Sequence, residues 1–102
     1  MNLTYSETKD SLTVKLSGEI DHHGAKFARE EIDSALNKKM PDKFILDMSS
    51  ITFCDSSGLG LIMGRYKTVK EYGGEIFLKS PAPTVEKMVR LSGLDRLVRI
   101  ID

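Results

Sequence analysis

The stretch FILDMSSITFCDSSGLGLIMGRYK (Phe44–Lys67) joins a strand pattern to a helical pattern. Its first residues, Phe44–Met48, open with a continuous apolar run, as expected of a strand that is covered on both faces. From Ser57 onward, apolar residues recur at helical spacing and should face a core: Leu59, Ile62, Met63, Tyr66 and Val69. A buried strand that leads into an amphipathic helix indicates an α/β fold with parallel strands.

Similar patterns continue on both sides of this stretch. Two alternating segments, Leu3–Glu7 and Leu12–Gly18, predict an N-terminal strand hairpin. A helix should follow, with Asp21 as N-cap and Pro41 as its stop. Its apolar positions, expected to be buried, are Phe27, Ala28, Ile32, Ala35 and Leu36. The remaining predicted elements are a strand at Glu75–Lys79, a helix from Pro83 and a strand at Leu97–Ile101.

The predicted order is therefore β-β-α-β-α-β-α-β, which indicates an α/β fold with a mixed, mostly parallel sheet. A chain of 102 residues fits a single domain, residues 1–102. Fifteen basic and fifteen acidic residues cancel, which argues against nucleic acid as a partner. No segment approaches the ~20 apolar residues of a membrane span. We expect a soluble cytoplasmic protein in which Cys54, the only cysteine, is a small buried hydrophobe.

The two serines at the start of the second predicted helix admit several interpretations. Ser56 stands where an N-cap belongs, so that its oxygen would accept a backbone N–H, a task that Asp55 could share. A catalytic serine would need a base, for which His22 and His23 are the only histidines. However, the flanking residues lack the paired glycines of the G-x-S-x-G turn. Catalysis is therefore the weaker interpretation.

The glycines after the serines suggest two further interpretations. Gly58 and Gly60 leave bare backbone at a helix N-terminus, which suits an anion, but the spacing of a phosphate-binding loop is absent. The same glycines would let another protein approach closely. Leu61 and Arg65 fall opposite the predicted buried stripe, so Leu61 is expected to be an exposed contact. An exposed Ser56 on such a docking face would be easily switched by phosphorylation.

A family resemblance bears on whether the serines cap the helix or belong to a docking face. The segments GEIDHH (Gly18–His23), DSSGLG (Asp55–Gly60) and LSGL (Leu91–Leu94) occur in an order that resembles the STAS family of bacterial anti-sigma factor antagonists. The sporulation members are the most similar, and the resemblance runs over nearly the whole chain. It implies a STAS-like fold, no cofactor and no catalysis. The unphosphorylated protein would bind an anti-sigma factor that is also a serine kinase, and so free a sigma factor.

The resemblance also implies the site residues. The kinase would phosphorylate Ser56, and a serine phosphatase would reverse this. The loop Glu19–His23 would join the serine end of the second helix in contacting the partner. The implied partner-binding residues are Glu19, Asp21, His22, His23, Asp55, Ser57, Gly58, Gly60 and Leu61. No third ligand accompanies the histidine pair, so a metal site is not expected. The alternatives are a small serine hydrolase, or a STAS module that regulates a transporter or another kinase.

Overall fold

The computed structural model describes residues Met1–Asp102, and its elements follow the predicted order. The strands are β1 (Asn2–Glu7), β2 (Ser11–Ile20), β3 (Lys43–Cys54), β4 (Glu75–Lys79) and β5 (Arg99–Ile101). The helices are α1 (His22–Lys39), α2 (Ser57–Glu71) and α3 (Pro83–Ser92), with one turn of 3-10 helix at Leu94–Arg96. None of the helices combines the length and the apolar character needed to cross a membrane.

The strands lie in the sheet in chain order, β1-β2-β3-β4-β5. The β1–β2 pair is antiparallel and all the others are parallel, as predicted. Each parallel connection steps to the next strand in the same direction, and right-handed crossovers then place every helix on the same face. The core lies between that face and the helices, and it includes Phe44, Leu46, Ile62, Val69 and Val89.

The prediction that Phe44–Met48 is covered on both faces was wrong. Along β3 the burial alternates, so that Phe44, Leu46 and Met48 are buried whereas Ile45 and Asp47 remain partly exposed. The run looked two-sided because Ile45 is apolar, although it lies on the face without helices. The opposite face of the sheet is therefore open.

Strand β3 also extends beyond its predicted end at Met48. It continues to Cys54 because it stays paired with β2, through register shifts after Lys15 and after Gly18. In the last pairs Ile20 lies beside Cys54. This extension brings the end of β3 directly to the two serines.

Helix α1 begins as predicted, because the Gly24 amide donates a 2.7 Å hydrogen bond to Asp21 Oδ1. One of its predicted core positions was wrong, since Phe27 is 48% exposed. The face that packs on the sheet holds Gly24, Ala28, Ile32 and Leu36, and Phe27 lies beside that stripe.

The last strand is shorter than predicted. It begins at Arg99 rather than Leu97, because the 3-10 turn at Leu94–Arg96 precedes it. Leu94 in that turn and Val98 after it are buried in the core, whereas Leu97 is exposed.

Candidate functional site

The structure brings the two predicted site segments together at the carboxyl ends of β2 and β3. Strands β2 and β3 are parallel neighbours that end side by side at Ile20 and Cys54. The Asp55 amide donates a 3.1 Å hydrogen bond to the carbonyl oxygen of Ile20, which ties the segments together. The loop that leads into α1 and the turn that leads into α2 therefore form one surface.

The turn before α2 is capped by Asp55 and not by Ser56. Asp55 Oδ1 accepts a 2.8 Å hydrogen bond from the Ser57 amide. Ser56 already has helical backbone angles (φ −62°, ψ −18°) and its side chain makes no capping hydrogen bond. An N-cap side chain acts from an extended backbone, so the prediction that Ser56 caps the helix was wrong. The Ser56 residue is exposed, and its hydroxyl has no structural task in this turn.

The two glycines of the turn have different surroundings. A Cβ atom at Gly58 would overlap Cys54 Sγ and would lie 3.5 Å from Ile20 Cγ2. Gly58 is therefore buried against the core, and the expectation that it forms part of an open docking face was wrong. Gly60 is exposed, and a Cβ atom there would meet nothing within 4 Å. Only Gly60 leaves open backbone on the surface.

Cys54 fills the space that the missing side chain of Gly58 leaves. It is half-buried rather than buried, and it packs against the edge of the core. Burial raises the pKa of the Cys54 thiol, and the neighbouring charge of Asp55 raises it further. The thiol is therefore held neutral, as suits a packing role.

The predicted exposure of Leu61 and Arg65 was wrong, since they are only 4% and 5% exposed. Helix α1 packs against α2 on the side where these residues lie. Arg65 Nε is 2.8 Å from Asp33 Oδ1 of α1, although neither atom makes an aligned hydrogen bond. Burial lowers the pKa of Arg65, and the charge of Asp33 opposes this. An ion pair thus joins the two helices that begin at the site.

The loop into α1 presents acidic and imidazole groups. Asp21 is partly buried, whereas Glu19, His22 and His23 are exposed. The hydrogen bond from the Gly24 amide lowers the pKa of the Asp21 carboxyl, and the His23 charge adds to this. The two imidazole rings are 5.8 Å apart in an edge-to-face arrangement. No three His, Cys, Asp or Glu side chains are placed together so that they could hold a metal ion.

Two exposed aromatic residues lie beside this loop, although Phe27 was expected in the core and Phe53 was not predicted as a site residue. Phe53 pairs with Glu19 across the β2–β3 ladder and is 50% exposed. Phe27 lines an open depression of about 550 Å³ together with Glu19, Asp21 and His23. The bulges in β3 bring Phe53 to the surface, and the sequence carries no clear signal for them. We call Glu19, Asp21, Phe27 and Phe53 the acidic rim.

Beside Ser57, α1 and α2 enclose a groove of about 300 Å³. Basic side chains dominate its α1 wall, and the start of α2 forms the other wall. Its lining residues are His22, Ala25, Lys26, Arg29, Ser57, Gly60 and Leu61, and we call it the basic groove. Neither Lys26 nor Arg29 was predicted from the sequence as a site residue.

The comparison with known families decides the relationship. The model of the STAS domain matches residues 2–102. The chain belongs to the STAS domain family. A curated relative of this STAS domain is the anti-sigma F factor antagonist of Paenibacillus polymyxa, 38% identical over 91 residues, which is 89% of the chain and 78% of the relative. The predicted family and fold are thereby confirmed.

The STAS domain also resembles solved structures of an anti-sigma factor antagonist. Unphosphorylated SpoIIAA superposes with a TM-score of 0.83 at 30% identity, covering 97% of this chain and 87% of the other. The phosphorylated form of Bacillus SpoIIAA superposes with a TM-score of 0.77 at 29% identity, covering 97% and 90%. One protein with this fold therefore exists in both states.

In this STAS domain the predicted partner-binding residues do not all reach the surface. Seven of them are exposed or partly exposed: Glu19, Asp21, His22, His23, Asp55, Ser57 and Gly60. Gly58 and Leu61 lie beneath them and are buried. The acidic rim and the basic groove lie beside different faces of the first turns of α1, and Ser56 directly precedes Ser57, which lines the groove.

Proposed function

We propose that this STAS domain is an anti-sigma factor antagonist whose binding is switched off by phosphorylation of Ser56. The observation that carries the proposal is that the Ser56 hydroxyl is exposed and makes no capping hydrogen bond, because Asp55 caps α2 instead. The site can therefore be modified without the loss of a structural contact. The names of the relatives, and the two states in which SpoIIAA has been solved, support the same assignment.

In the proposed cycle, the unphosphorylated domain binds an anti-sigma factor that is also a serine kinase, and a sigma factor is freed. The kinase then phosphorylates Ser56, and a serine phosphatase restores the active form. The domain performs no catalysis of its own. In support, the carboxylates of Asp21 and Asp55 hydrogen-bond to backbone amides and do not orient a histidine, as the base of a nucleophilic serine would require.

A phosphate on Ser56 would act locally. It adds about 1.5 to 2 negative charges at the start of α2, where the helix dipole favours an anion. The fold should therefore tolerate it. The same charge and bulk would stand in the middle of the partner surface, beside Asp55. Misplaced charge at an interface can cost several kcal/mol. Loss of binding then requires no change in conformation.

The decisive experiment incubates the domain with the anti-sigma factor and ATP and locates the phosphate by mass spectrometry. We expect phosphate on Ser56 of the wild type and of Ser57→Ala, the matched control. Ser56→Ala should bind the anti-sigma factor and release the sigma factor, but it should remain unmodified. Phosphorylation of Ser56→Ala at the wild-type rate would show that another residue is the switch.

A further inference from the structure

The basic groove carries positive charge that the domain itself does not use. His22, Lys26 and Arg29 are spaced four and three residues apart, so they share one face of α1. All three line the groove. The ion pairs of the structure involve other basic residues, namely Lys39, Arg65 and Arg90, so neither Lys26 nor Arg29 is neutralised.

The surroundings of the groove add to this positive charge. Its second wall is the start of α2, the positive end of that helix dipole. Gly60 leaves this wall open, since no side chain projects from it. Arg65 lies behind the groove and is matched by Asp33 alone. The pKa of Arg65 is lowered mainly by burial and, to a smaller extent, by repulsion from the nearby Arg29. The corner therefore holds more cations than carboxylates.

Another surface beside the first turns of α1 has the reverse polarity. The acidic rim presents Glu19 and Asp21 beside the exposed rings of Phe27 and Phe53. A protein that covers this end of the domain would therefore meet both an acidic surface and a basic groove. Complementary charges of this kind orient a partner and suppress the reversed arrangement.

We propose that the basic groove receives an aspartate or glutamate side chain of the anti-sigma factor, held by Lys26 and Arg29. This inference rests on the proposed function and adds the chemistry of the partner. A carboxylate suits the groove because a guanidinium such as that of Arg29 binds it in a bidentate manner, and the ammonium of Lys26 adds a point charge. The partner's own basic residues would then face the acidic rim. The two contacts together place the partner over Ser56 in a single orientation.

Cross-linking tests the identity of the occupant. A carbodiimide joins an amine to a carboxylate only where the two are in direct contact. In the complex with the anti-sigma factor, we expect an amide between Lys26 Nζ and an aspartate or glutamate of the partner. Lys67, exposed on α2, should form none. A complex that forms without a cross-link at Lys26 would overturn the proposal.

Charge reversal tests the energetic role. The double variant Lys26→Glu/Arg29→Glu should bind the anti-sigma factor about a hundredfold more weakly than the wild type, mainly at low ionic strength. The matched control is Lys67→Glu/Lys87→Glu, which makes the same change in net charge at exposed positions of α2 and α3. It should bind within about threefold of the wild type. Equal losses in the two variants would overturn the proposal.

A third measurement separates the groove from the proposed function. Tetraglutamate is titrated into the isolated domain and followed by amide chemical shifts. We expect shifts at 22–29 and 57–61 that disappear in Lys26→Gln/Arg29→Gln. If no anti-sigma factor binds the wild type, the proposed function fails, yet these shifts still support an acidic-peptide groove. Absence of the shifts, their persistence in the variant, or shifts with inorganic phosphate alone would overturn the groove assignment.

Discussion

Gly58, in the first turn of α2, packs so closely on Cys54 that a Cβ atom there would overlap the Cys54 sulfur. Cys54 is the last residue of β3, so this contact sets how near α2 begins to the sheet. Ser56 lies between the two residues in sequence and is exposed at the surface. The glycine therefore serves packing beneath the site rather than contact with a partner.

We expect Gly58→Ala to destabilise the domain by about 1–3 kcal/mol, the usual effect of overpacking. Cys54→Ala in the same chain should recover much of the loss, because it removes the colliding sulfur. Gly60→Ala is the matched control and should stabilise by about 0.5–1 kcal/mol, since its Cβ meets nothing within 4 Å. Urea unfolding checks all of these. A Gly58→Ala variant as stable as Gly60→Ala would contradict the packing role.

The cap of α2 predicts opposite results at adjacent positions. Asp55→Ala removes the acceptor of the Ser57 amide and should cost about 1 kcal/mol of unfolding free energy. Ser56→Ala removes a hydroxyl that caps nothing and should change stability by less than about 0.5 kcal/mol. Chemical unfolding of the two variants measures this. If Ser56→Ala lost more unfolding free energy than Asp55→Ala, Ser56 rather than Asp55 would be the cap.

The phosphate mimic Ser56→Asp should preserve the fold while it weakens binding. A carboxylate at the positive end of α2 is tolerated, so the circular dichroism spectrum should match the wild type. Affinity for the anti-sigma factor should fall by about a hundredfold, which corresponds to ~2.7 kcal/mol. Isothermal titration gives the affinity. Ser34→Asp, at an exposed position in the C-terminal half of α1, is the control, and an equal loss there would remove the special role of Ser56.

The ion pair between α1 and α2 should contribute to stability as a unit. Arg65 is almost fully buried, whereas the Asp33 side chain is 38% exposed. Asp33→Asn leaves the buried guanidinium without its counter-charge and should destabilise by about 1–3 kcal/mol, below the loss for a fully buried pair. Arg65→Met should cost less, because it removes the charge and fills much of the space. A double-mutant cycle followed by thermal unfolding measures the coupling between the two residues. Additive effects of the two substitutions would show that the pair is uncoupled and would contradict the prediction.

The Asp21 carboxyl should make the stability of the domain depend on pH, in a defined direction. The hydrogen bond from the Gly24 amide lowers its pKa in the folded state below the ordinary 3.8. Its contribution to stability is therefore complete well above pH 3.8 and is lost as the pH falls through the lower native pKa. Carboxyl carbon chemical shifts give that pKa directly. In Asp21→Asn, which can still cap α1, this component of the acid destabilisation should be absent, and an unchanged profile would refute it.

Short-range patterns in the sequence predicted much of this structure. Apolar periodicity placed the strands and helices in the correct order, and Asp21 was identified as the cap of α1. The motifs of Gly18–His23 and Asp55–Gly60 pointed to the STAS family, which the family match confirms. These properties depend on residues that are close in the chain, so local chemistry suffices to predict them.

Packing between distant segments decided the rest. Leu61 and Arg65 looked exposed on α2 considered alone, and they are buried because α1, from a distant part of the chain, covers that side. Gly58 looked like bare docking surface, and although Cys54 is only four residues away, the pattern of the sequence does not show that its sulfur packs against Gly58.

The basic groove likewise exists only because Lys26 and Arg29 of α1 come to lie beside Ser57 of α2. The sequence by itself determined the order of elements, the cap of α1 and the family. The tertiary structure alone decided which surfaces of those elements meet solvent, because periodicity reveals an apolar face but not the neighbour that covers it.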